Sequence, residues 1–194
     1  MHSSRVRPLS LLALLLACVS THAAEPKSKN KTVLDLTERS VNIEAGLPKP
    51  VNRYEYTFGS WQDKVTFLQD RGILVPYLPG DGGFGSNDRL NFGKSTAAEI
   101  HLVIGNRNES EAVSFGLVDG DGTDCSWTLP LKDKPRGAPL RFTIDLTRPD
   151  HVEKPGKTPG FDPKKTKTWQ FKGNWQPAKV EVVFSRIVAL APAP

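Results

Sequence analysis

The chain reads as an all-β protein, a single antiparallel β-sandwich of the jelly-roll kind, and three observations predict it. Apolar residues recur with a period of two over short runs, the spacing that turns one face of a strand towards a core. Glycine and proline, 16 each among 194 residues, gather between those runs, where turns need them. No segment sustains the 3.6-residue period of a helix, and no repeat with a period of about 20–50 residues is visible.

Residues 1–24 have the form of a secretory signal: basic Arg5 and Arg7, an apolar run from Leu9 to Ala17, then small residues. At about nine residues the run falls far short of the roughly 20 that cross a bilayer. Two processing routes remain open. Leu15-Leu16-Ala17-Cys18 resembles the lipobox of bacterial lipoproteins, making 1–17 the signal and Cys18 a lipidated anchor. Cleavage after Ala23 or Ala24 would instead release a secreted or periplasmic chain. Residues 25–32 then form a polar, basic tether.

The domain is expected over 33–190. Val33 to Leu36 is its first candidate strand, with Val41 to Glu44 a continuation and Gly46 to Val51 a breaker. Tyr54 to Trp61 leads to strands around Phe67 and from Gly72 to Val75. Pro79 to Asn87 reads as a Gly-rich rim loop, because GDGGFG lacks the Lys-Ser/Thr and following helix of a phosphate cradle. The clearest strands come next. Ile100, Leu102 and Ile104 form one apolar set, Val113, Phe115 and Leu117 a second, and Cys125, Trp127 and Leu129 a third. Leu140, Phe142, Ile144 and Leu146 alternate likewise, Thr147 to Pro163 is irregular, and Trp169 to Gly173 and Val180 to Ala189 close the domain. Residues 191–194 are a disordered tail.

Charge and cysteine usage narrow the function classes. The formal charge is +5, and without Arg5 and Arg7 the balance is 24 basic to 21 acidic residues. The lysines concentrate at Lys27–Lys31 and Lys154–Lys172, in Pro- and Thr-rich segments that read as solvated loops rather than a nucleic-acid surface. Cys125 lies in phase with Trp127 and Leu129 and reads as a buried hydrophobe, leaving the exported domain without an internal disulfide. Asp119-Gly120-Asp121-Gly122 has carboxylates a calcium ion would accept. However, Pro130 stands where an EF-hand needs a bidentate Glu, and Asp-Gly turn geometry explains the residues. No metal site and no cofactor are expected, though such a fold admits a structural calcium. No His-x-x-x-His spacing or Gly-x-Ser-x-Gly elbow is present, and nothing pairs Glu99, Asp119, Asp145 and Glu181 as a glycosidase requires. A polysaccharide hydrolase is therefore the third-ranked class.

The order of features resembles the galactose-binding-domain-like jelly rolls that include many carbohydrate-binding modules, found in small exported bacterial proteins. The resemblance spans Asp35 to Leu190. It rests on Leu90-Asn91-Phe92-Gly93 leading into Glu99–Ile104, on Gly105–Asn108 before Val113–Asp119, on the Asp119–Thr123 hairpin returning through Trp127, and on Lys154–Asp162 preceding Trp169–Gly173. It implies a sugar-binding sheet face or rim, and carries over no individual ligand residue. Sandwiches of this kind serve many roles.

From the residues themselves, Trp61 and Trp175, at strand ends among Ser60, Gln62, Asn174 and Gln176, are the candidates to stack on sugar rings. His101, Ser114, Ser126 and Thr128, opposite in phase to the core sets, are expected to floor the groove with Asn106 and Asn108 from the adjoining loop. The expected function is a non-catalytic module binding a carbohydrate or cell-envelope polymer. A structural or protein-interaction module of the envelope is the alternative. The membrane is involved only through Cys18.

Overall fold

The computed structural model describes residues 29–192; the signal segment, Cys18 and the last two residues lie outside them. Two six-stranded antiparallel sheets pack face to face. In the first, β11 (Pro139–Asp145), β8 (Ala97–Ile104), β14 (Lys179–Ala189), β6 (Gly72–Pro79) and β5 (Thr66–Leu68) follow one another, and β1 (Lys31–Asp35) also pairs with β14. In the second the order is β12 (His151–Lys154), β10 (Asp124–Pro130), β9 (Ala112–Asp119), β13 (Thr166–Gly173), β7 (Gly82–Ser86) and β4 (Tyr56–Gly59). A separate hairpin joins β2 (Ser40–Glu44) to β3 (Leu47–Val51). Among the described residues there is no α-helix and no helix long and apolar enough to cross a membrane.

The period-two sets face inward. Ile100, Leu102 and Ile104 meet Phe115, Leu117, Trp127 and Leu129 from the other sheet in one core. At its centre Phe84 contacts Tyr54, Trp61, Trp169, Phe171 and Phe184, and Phe171 stacks on Phe184 across the sheets at 4.3 Å between ring centroids. Burying this aromatic set supplies the driving force that the domain, with no disulfide among the described residues, must find in its core.

Four sequence expectations change. The Gly-rich segment is no rim loop: β7 is a fully buried strand, with Phe84 inward and Gly83 and Gly85 outward. A Cβ on Gly83 would sit 2.4 Å from the Phe58 ring, and one on Gly85 2.7 Å from the Tyr56 hydroxyl. Glycine is thus what lets two aromatic side chains of β4 lie against this strand. Second, Gly46 to Val51 is not a breaker but one arm of the hairpin, since prolines are tolerated on a strand whose second edge is unpaired. Third, the irregular segment after Leu146 contains β12 and a 3₁₀ turn at Pro163–Lys165. Fourth, β1 begins at Lys31, within the expected tether, and the Asn30 side chain accepts a 2.9 Å hydrogen bond from the Ala191 amide.

The three central strands do not form one ladder. β9 pairs with β10, whereas β8 belongs to the opposite sheet and pairs with β11 and β14. His101 therefore lies on the outer face of the first sheet, and Ser114, Ser126 and Thr128 on the outer face of the second.

Candidate functional site

The outer face of the second sheet holds a recess of about 400 Å³. The register builds its floor. Ser114 of β9 stands opposite Thr128 of β10 on one side and Lys172 of β13 on the other, and Ser126 of β10 stands opposite His151 of β12. Small hydroxyl side chains keep this floor low. Gly116 keeps it lower still: a Cβ there would lie 3.0 Å from Gln170 Cγ and 3.5 Å from Lys172 Cε.

Lys172 uses that space. Its side chain, only 6% exposed, crosses the face and its ammonium donates to Glu153 of β12. The Ser126 hydroxyl donates to the same carboxylate oxygen at 3.2 Å. A buried ammonium is tolerated only with a partner, and here the partner arrives from a strand whose own residues are all exposed. The recess is consequently polar but carries a compensated charge. Further along the face, burial raises the pKa of Asp124, and the nearby charge of Glu153 adds to the shift. Its Oδ1 has no hydrogen-bond partner. Burial also raises Tyr56, reinforced by the charges of Asp124 and Glu55.

Trp175 stands at the rim, 61% exposed. Its φ is +57°, a left-handed conformation that bulky L-residues rarely adopt and that costs about 1–3 kcal/mol. Two contacts impose it: the Trp175 amide donates to the Gly80 carbonyl at 2.8 Å, and Asn174 Oδ1 accepts from the Gln176 amide at 3.2 Å. The fold thus holds an indole outwards beside a hydroxyl-lined hollow.

The other expected binding residues are placed differently. Trp61 is a core residue, wholly buried, with its indole N–H donating to the Pro79 carbonyl at 2.7 Å; Gly82 clears the space for its ring. It offers no surface for stacking. Asn108 is also buried and structural: its amide donates to the Ser110 carbonyl at 2.8 Å and its Oδ1 accepts from the Glu181 amide at 3.1 Å. Asn106 is exposed, and with His101 it belongs to the far side of the sandwich. There His101 Nε2 lies 3.0 Å from Glu99.

The acidic turn is built as a turn. Asp119 Oδ1 accepts from the amides of Asp121, Gly122 and Thr123, and its Oδ2 accepts from the Asp162 amide at 3.0 Å. Asp121 takes the Thr158 amide and hydroxyl and the Thr123 hydroxyl, which hold its carboxyl well below the usual range. The two carboxylates pin the 155–162 segment onto the β9–β10 hairpin. Among the described residues no three His, Cys, Asp or Glu side chains converge as a metal site. Cys125 is buried, and burial pushes its thiol up to about 12.

Sequence reading did not find His151, Glu153 or Lys172. The first two sit in a strand with no apolar alternation, and Lys172 fell within a segment read as solvated lysines. Its phase, opposite to Phe171 and level with Ser114, was the one available signal.

No protein-family model matches the chain, and neither does any curated protein. Among solved structures, the crystal structure of an agarase, AgWH50C, is similar at a TM-score of 0.49 and 7% sequence identity. The match covers 83% of this chain and 26% of that one, so the chain spans about a quarter of the agarase's length.

Proposed function

We propose that the protein is an exported, non-catalytic module of the galactose-binding jelly-roll kind that holds a carbohydrate or cell-envelope polymer on the outer face of its second sheet. The observation that carries this reading is Trp175, kept exposed in a strained conformation at the rim of a recess floored by Ser114, Ser126 and Thr128. An indole face suits the apolar face of a pyranose, and hydroxyls on the floor exchange hydrogen bonds with sugar hydroxyls. Because Lys172 already neutralises Glu153, the recess suits an uncharged sugar, and Glu153 is engaged rather than poised for acid–base work. Retention on insoluble polysaccharides and on a glycan array tests it. Trp175→Ala is expected to weaken retention about tenfold. No retention of the unaltered chain on any polysaccharide would sink the proposal. Mass spectrometry of the mature N-terminus tests export: a diacylated peptide beginning at Cys18 identifies an anchored form, a free Ala24 or Glu25 a released one.

One observation favours the second reading, an interaction module. One face of the β2–β3 hairpin presents Val41 and Ile43, 66% and 71% exposed, an apolar surface of the kind that meets protein partners. Replacing Ile43 by Asp would remove such contacts and leave polysaccharide retention intact.

A further inference from the structure

The outer face of the first sheet carries a second concavity that the proposed function does not use. Two hollows of about 410 and 500 Å³ share Arg71, Val103, Gly137 and Val183 and so form one trough. Its floor is aliphatic, from Val103, Val183 and Leu74 on adjacent strands. Its charged lining is four arginines, Arg71, Arg107, Arg141 and Arg186, against the carboxylates Asp70 and Glu181.

Half of these groups are already matched. Arg107 forks onto Glu181 at 2.6 and 3.0 Å, and Arg186 pairs with Asp35 at 2.9 Å. Arg71 and Arg141 are exposed and make no ion pair among the described residues, while Asp70 only accepts from Gln69 at 3.1 Å. The register adds a second observation. Arg141 and Arg186 stand directly opposite His101 on its two neighbouring strands, so two guanidiniums flank one imidazole in a row across three strands. Asp35 meets Arg186 and Glu99 lies 3.0 Å from His101, so the charge left open in this row is that of Arg141.

We propose that this trough binds a polyuronate, a polysaccharide whose ring carboxylates are taken by Arg141 and Arg71 while the aliphatic floor carries the apolar face of the sugar. A planar guanidinium matches a carboxylate in a two-point fork. The lining contains no Phe, Tyr or Trp, the side chains on which the bases of single-stranded nucleic acid stack best. This site is independent of the Trp175 recess, which lies on the opposite sheet.

Calorimetric titration of the whole chain with a short oligogalacturonate tests the proposal. Binding is expected, weakening with added NaCl. Arg71→Gln and Arg141→Gln, both at exposed positions, should each lower affinity about tenfold, whereas Trp175→Ala leaves it unchanged. Unfolding curves of the variants confirm that each is folded. Unchanged affinity in the double arginine variant overturns the proposal. Equal affinity for the neutral oligogalactose, for a sulfated oligosaccharide or for polyglutamate also overturns it, because the carboxylated sugar is then not what is recognised. Loss of neutral-polymer retention in Trp175→Ala with intact uronate binding separates the two sites, so either can fail alone.

Discussion

Removing either member of the Lys172–Glu153 pair should have unequal consequences. Glu153→Ala leaves an ammonium whose side chain is 6% exposed without the carboxylate to which it donates. Breaking a fully buried pair in this way costs about 3–5 kcal/mol. Glu153 is 44% exposed, however, so water reaches the vacated position and screens the charge. The expected loss is therefore about 1–3 kcal/mol. Lys172→Met removes the charge but keeps the unbranched stem lying over Gly116, and the freed carboxylate is hydrated through its open side. Here the expected change is about 0–1 kcal/mol. The double variant should resemble Lys172→Met rather than the sum of the two. Urea unfolding followed by tryptophan fluorescence gives each free energy by linear extrapolation. If Lys172→Met destabilises as much as Glu153→Ala, attraction within the pair outweighs desolvation of the ammonium, and the reasoning is refuted.

Three further outcomes follow from the geometry. Gly85→Ala should destabilise by about 2 kcal/mol or more, because its Cβ would meet the Trp169 carbonyl at 2.3 Å; Gly93→Ala, with open space but φ +60°, should cost about 1 kcal/mol, and thermal unfolding separates them. Phe84→Ala should cost about 3–5 kcal/mol in urea unfolding, since its ring is wholly buried among five aromatic side chains. Cys125 should resist thiol reagents in the native chain and react on unfolding. Its thiol is raised from 9.0 to about 12, so its stabilising contribution is complete below pH 9 and lost as pH rises from 9 towards 12. Cys125→Ala should flatten that alkaline decline; an identical decline in the variant would show that other groups cause it.

Alternation alone located β8, β9, β10, β11 and β13, because a period of two records which residues will face a core and needs no partner to be read. The same logic failed where side chains carry no hydrophobic record. β7 is Gly-Gly-Phe-Gly-Ser, so only Phe84 marks it, and its glycines are explained by Tyr56 and Phe58 lying against them. β3 has prolines at two of five positions, acceptable only because its outer edge is unpaired. Trp61 and Trp175 have similar polar neighbours in sequence. One is buried because Gly82 and the Pro79 carbonyl receive it; the other is exposed because the Gly80 carbonyl fixes its backbone.

What the sequence determined by itself is the strand content, the inward sets and the absence of a disulfide among the described residues, properties written in local order and composition. What tertiary structure alone decided is which outward sets share a face. The period of two says that His101 and Ser114 both point away from the core, but not that the chain crosses between sheets from Ile104 to Ala112. That crossing sends His101 to an arginine-lined trough and Ser114 to a tryptophan-rimmed recess. Sheet membership is set by hydrogen bonds between strands distant in sequence, and no local pattern encodes it.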